Sequence, residues 1–212
     1  FAEEEPDVRF ATWAYTWSEI PPKSDFKFHD NVILYYNTIK LCPCHEYTDT
    51  TCSKNKNSSE YIKKWDSITN KLYLWEHTGS FGDAMAPMFD LDSINKNQRY
   101  FYENGVRGAF LNGRCDRPSN LMEVRAYLFN RLWRDPMMTD EEYNYRLNGF
   151  LEAYYGDAYK HVRNYIDTIN EIGNVGCTDT HSKINNIAVI WETVLKGSHV
   201  QTCSSKFHFR DS

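Results

Sequence analysis

The chain has 212 residues, a formal net charge of −5 and a pI near 5.8; it is 41% hydrophobic and 16% aromatic. No Lys/Arg run exceeds two residues, so the basic footprint of a nucleic-acid binder is missing, and no stretch approaches the roughly 18 apolar residues of a membrane span. Enough apolar sequence is present for one sizeable core, which excludes disorder throughout.

Residues 1–7 are acidic and loose in character. Residues 8–17 (VRFATWAYTW) alternate as a strand, with Arg9, Ala11, Trp13, Tyr15 and Trp17 on one face. Pro21 and Pro22 end it. Residues 31–37 (NVILYYN) form a second strand, apolar on both faces, which suits a parallel sheet covered by helices. Residues 41–57 (LCPCHEYTDTTCSKNKN) form a long loop with three cysteines and one histidine, and a loop of this length is expected to be functional or disordered. Tyr61, Ile62, Trp65 and Ile68 recur at helical spacing over 58–70. The third strand is 71–77 (KLYLWEH), with Trp75, Glu76 and His77 at its end. A helix over 91–104 leads to a fourth strand within 105–113 (GVRGAFLNG), where Gly108 predicts a close backbone approach.

Asn120 with Glu123, and Thr139 with Glu142, read as capping patterns opening two further helices. Gly156 breaks the second of these, and another helix runs over 157–172. Residues 173–212 read as a tail with one helix around 183–195. Four strand–helix alternations predict an α/β fold with parallel strands. Right-handed crossovers then place all strand C-termini on one edge, where ligand sites of such sheets lie.

Candidate binding groups follow from that edge: Trp13 and Tyr15 of the first strand, Tyr36 of the second, Trp75 and Glu76 of the third and Asn112 of the fourth. Flat rings with polar tips suit stacking against sugars. His45 is a further candidate, because its loop leaves the C-terminal end of the second strand. Cys42, Cys44, Cys52, Cys115, Cys177 and Cys203 make an even count that points to disulfides and an oxidising, extracellular setting, with fifteen pairings open. Three cysteines and His45 would also suit tetrahedral zinc. The C-x-C-H-x(6)-C spacing lacks the paired CxxC knuckle, so disulfides or thiols packing the loop are the expected reading, with no metal and no cofactor. Asn57-Ser58-Ser59 is a glycosylation sequon.

The order of short motifs carries a resemblance. WAY, then PP, then Cys44, His45, Cys52 and Asn55, then Trp65 with Trp75-Glu76, then FYENGVRGAF, LWRDP and YYGDA resemble the domain-of-unknown-function family numbered 4838 over 8–172. That family is classed with glycoside hydrolase family 163, endo-acting β-N-acetylglucosaminidases of barrel fold. The resemblance implies that 1–172 is the C-terminal half of a (β/α)8 barrel, strands five to eight. It implies retaining cleavage of β-linked N-acetylglucosamine, with the substrate's acetamide as nucleophile and a Glu as acid. The acidic pair of related barrels follows strand four, which is not in this sequence, so no catalytic residue is assigned and the chain alone is expected to be inactive. Glu76 stands where the family commonly has Asp, and His77 where it has an aromatic. The alternative is a non-catalytic glycan-binding or extracellular interaction module. A half barrel also predicts open sheet edges at 8–17 and 105–113, free to meet the missing half or another chain.

Overall fold

The structure is a computed structural model that describes residues 4, 5, 7–24, 26–79, 81, 87–113 and 119–173. The tail helix expected around 183–195 lies outside them. Four strands, β1 (Phe10–Ala14), β2 (Val32–Asn37), β3 (Leu72–His77) and β4 (Val106–Asn112), form one parallel sheet in the order β1-β2-β3-β4. Helices α1 (Ser58–Ile68) and α2 (Ile94–Glu103) connect β2 to β3 and β3 to β4, and α3 (Met122–Arg134), α4 (Asp140–Tyr155) and α5 (Tyr159–Gly173) follow. The α/β class with parallel strands is as expected, and among the described residues β1 and β4 each pair on one side only. No described helix is long and apolar enough to cross a membrane.

Side-chain alternation divides the sheet into two unlike faces. Leu34 and Tyr36 of β2, Leu72 and Leu74 of β3 and Val106 of β4 are buried with Ile62, Trp65 and Ile68 of α1 and Phe101 of α2. A second core joins Ile94 of α2, Val124, Leu128 and Leu132 of α3, Leu147 and Leu151 of α4 and Ile166 and Ile169 of α5. The other sheet face carries rings instead. Tyr35 meets Tyr73 at 5.6 Å, Trp13 meets Trp75 at 6.2 Å, and Trp75 meets Phe110 at 4.9 Å, all edge to face. None of these rings joins either core cluster, and Trp13 and Phe110 are each 49% exposed.

Two glycines have specific duties. Gly108 lies under the Tyr73 ring, where a Cβ would come within 2.8 Å of the ring carbon, so the close approach expected there is found. Gly105 closes the α2–β4 turn at φ +81°, and a Cβ there would collide with the Asp66 carboxylate.

β1 is shorter than its alternating pattern. The chain leaves the sheet at Ala14 and enters a 3-10 helix at Thr16–Glu19, with Thr16 at φ 54°. The Ser18 hydroxyl causes this: it accepts from the Tyr15 N–H at 3.0 Å and lies 3.1 Å from the Trp13 carbonyl, to which it donates. Lys40 Nζ donates to the Thr16 carbonyl at 2.8 Å and Trp65 Nε1 to the Glu19 carbonyl at 2.8 Å, pinning the turn to the sheet. Tyr15 is therefore at the strand end, and Trp17 points away at 88% exposure.

Thr139 caps α4 as expected, its hydroxyl accepting from the Glu142 N–H at 3.2 Å with three acidic residues in the first turn. The capping expected of Asn120 is not made. Leu121 occupies the N-cap of α3 at φ 54°, and Asn120 Nδ2 donates instead to the Tyr165 hydroxyl at 3.1 Å, tying the start of α3 to α5.

Candidate functional site

The C-terminal ends of the strands enclose a cleft of about 290 Å³ lined by Trp13, Tyr15, Asn37, Ile39, Trp75 and His77. The register explains the set. Asn37 is the partner of Trp75 across β2 and β3, Trp75 is the partner of Phe110, and His77 is two residues beyond Trp75 on the same face. Asn37 Oδ1 accepts the Ile39 N–H at 2.9 Å, turning the chain so that Ile39 reaches the wall. Thr38 links the two strand ends: its N–H donates to the Trp75 carbonyl at 3.1 Å, and its hydroxyl accepts the His77 N–H at 3.0 Å. The His77 ring meets Phe81 edge to face at 5.0 Å. The cleft is mostly aromatic with two polar groups, and its size is near the lower end for small-ligand sites.

The structure brings Trp13, Tyr15 and Trp75 together and separates the other candidates from them. Glu76 points to the helical side because β3 continues through His77, so Trp75 and Glu76 face opposite ways. Its carboxylate is buried and accepts both bonds from Gln98 Nε2, at 2.7 and 2.9 Å. Burial pushes its pKa up to about 8, against the lowering effect of the Gln98 bond. Tyr36 is likewise buried on the helical side, where desolvation raises its pKa. Asn112 is half-buried at the end of β4, in register with His77.

His45 lies in a different cleft, of about 460 Å³, together with Cys44, Glu46, Asp49, Asp92 and Lys96. Its loop is ordered by Asn55, which is buried. Asn55 Oδ1 accepts the Cys42 N–H at 2.8 Å, and Nδ2 donates to the carbonyls of Cys42, Glu46 and His45 at 3.0, 3.2 and 3.3 Å. Of the two readings for this loop, disulfides or packed thiols, the structure shows the second and corrects the first: Cys42, Cys44 and Cys52 are buried thiols. Cys115, Cys177 and Cys203 lie outside the described residues. Asn57 of the sequon is exposed at the start of α1.

Asn37, Ile39 and His77 were not among the binding candidates drawn from sequence, although His77 was placed with Trp75 and Glu76 at the end of the third strand. Counting alternation outward from Trp75 finds His77, and the β2–β3 register finds Asn37. Ile39 has no sequence signal, since its place depends on the turn at Asn37.

A parallel α/β sheet with an aromatic cleft at its strand ends is the class of protein that fold and site define. Within that class, the chain belongs to the family described as a domain of unknown function (DUF4838), which matches residues 1–167. No curated protein and no solved structure matches the chain.

Proposed function

We propose that this chain is a carbohydrate-active domain whose strand-end cleft takes a β-linked N-acetylglucosamine unit of a glycan. The convergence of Trp13, Tyr15 and Trp75 on one open cleft carries this reading. Two indoles and a phenol offer faces to the C–H groups of a pyranose, and Asn37 and His77 offer polar groups to its hydroxyls or acetamide. The strand order and the helices packed on one sheet face support a (β/α)8 half barrel, with the ring-covered face towards the barrel interior. The retaining, acetamide-assisted hydrolysis of glycoside hydrolase family 163 is part of the same proposal. An extracellular setting also belongs to it, in keeping with the exposed Asn57.

No carboxylate is among the described residues that line the cleft. That observation favours a second reading, a glycan-binding module without its own acid. In the hydrolase reading the acid comes from a segment preceding these strands. The glycosidase activity of a protein carrying such a segment separates the two.

Titration with a chitobiose-containing glycan, followed by tryptophan fluorescence, tests the shared claim of sugar binding. Saturable quenching is expected. Trp75→Ala and Trp13→Ala each lower the affinity by about tenfold, which corresponds to roughly 1.4 kcal/mol of stacking. Two variants are used because Trp75 also supports the Trp13 and Phe110 rings. No saturable change at millimolar sugar, or undiminished binding by both variants, would overturn the proposal.

A further inference from the structure

The loop between β2 and α1 brings together three side chains that the proposed sugar site does not use. One ligand atom from each of Cys42, His45 and Cys52 lies within 4.8 Å of the other two, and Cys42 Sγ is 3.2 Å from His45 Nδ1. In a tetrahedral zinc site, Zn–S bonds near 2.3 Å and Zn–N bonds near 2.0–2.1 Å put ligand atoms about 3.6–3.8 Å apart. The observed spread brackets those edges, so a small movement of side chains closes the set around a cation. We infer that Cys42, His45 and Cys52 form a zinc site with a fourth, exchangeable ligand.

Three observations carry the inference beyond proximity. The donor set is two thiols and an imidazole, which select zinc over magnesium or calcium. The backbone holding the ligands is set beforehand: Asn55 bonds the carbonyls of Cys42, His45 and Glu46, the Lys56 N–H donates to the Cys52 carbonyl at 2.9 Å, and the Ser93 hydroxyl to the Pro43 carbonyl at 2.9 Å. A site held by bonds of this kind needs little reordering when the ion enters. A carboxylate also stands beside the set. Asp49 accepts from the Thr51 hydroxyl at 2.6 Å and the Thr51 N–H at 2.8 Å. Asp49 lines the same cleft as His45, where a carboxylate can partner a zinc-ligating imidazole.

Binding is an exchange of protons for metal. Each of the Cys42 and Cys52 thiols gives up its proton to solvent, His45 binds as the neutral ring, and no electron moves. The site is distinct from the sugar cleft and does not depend on it.

The test uses the full chain, purified under reducing conditions, with zinc as the probe. After dialysis against zinc and then metal-free buffer, elemental analysis is expected to find one zinc per chain. Cobalt(II) exchanged into the same protein should give the intense visible bands of tetrahedral coordination and a thiolate charge-transfer band. His45→Ala and Cys52→Ser should each weaken zinc binding by more than the roughly hundredfold that outer-shell changes cost. If either variant fails to fold, the wild-type cobalt spectrum decides alone. Less than a tenth of an equivalent of zinc, an octahedral cobalt spectrum, or a Cys42–Cys52 disulfide that persists under mild reduction would each overturn the inference.

Discussion

Asp90→Asn is expected to destabilise the fold by about 3–5 kcal/mol, the usual cost of breaking a buried ion pair from one side. Arg125 of α3 donates from Nη1 to Asp90 and from Nη2 to the Met88 carbonyl at 2.8 Å. Both charged side chains are almost wholly buried, at 3% and 4% exposure. Asp90 leads into α2 and Arg125 stands on α3, so the pair joins two helices over the core. Without the carboxylate, a guanidinium remains buried with no counter-charge in contact among the described residues. Arg125→Met combined with Asp90→Asn is expected to be milder than Asp90→Asn alone, because no charge is then left behind. Urea unfolding followed by circular dichroism measures both. An unfolding free energy for Asp90→Asn within about 0.5 kcal/mol of wild type would show that the pair contributes little.

Glu76→Gln is expected to change how stability depends on pH. The Glu76 pKa is raised from the ordinary 4.5 to about 8 in the fold, so the folded state favours the neutral acid. The resulting stabilisation is fully present below pH 4.5 and is lost as pH rises through about 8. Each pH unit of that window costs about 1.4 kcal/mol, so the loss is on the order of several kcal/mol. A glutamine keeps an amide oxygen to accept from Gln98 Nε2 and has nothing to ionise. Wild type and variant should therefore have similar melting temperatures at pH 5, with the variant clearly more stable at pH 9. Parallel melting curves across that range would mean that Glu76 stays ionised in the fold.

Glu76 also shows how far the sequence could be read. The run 71–77 was legible as a strand from its apolar character, as were the other three. Helical spacing at Tyr61, Ile62, Trp65 and Ile68 marked α1. What a run of residues does not reveal is which face each side chain takes, because that depends on the residue at which the strand stops. β3 continues one residue past Glu76, which sends the carboxylate to the helices and His77 to the cleft. The same parity separates buried Tyr36 from Asn37. At β1 the alternating pattern overran the strand, because a single serine hydroxyl, Ser18, captured the backbone and turned it. The loop 41–57 shows a different limit. Its cysteine spacing matched no zinc knuckle, yet Asn55 folds it so that Cys42, His45 and Cys52 meet. Such closure depends on one buried amide and leaves no periodic trace.

Trp13 and Trp75 are the indoles that a sugar in the proposed cleft would meet. The most direct measurement is the shift of indole N–H resonances in a two-dimensional 15N–1H spectrum as chitobiose is added. Trp17 is 88% exposed and outside the cleft, and Trp65 Nε1 is held by the Glu19 carbonyl, so both serve as internal references. The Trp13 and Trp75 signals are expected to move together along one saturable curve while those of Trp17 and Trp65 stay in place. Movement of Trp17 with Trp13 and Trp75 still would mean weak stacking on an exposed ring, and the strand-end cleft would not be a sugar site.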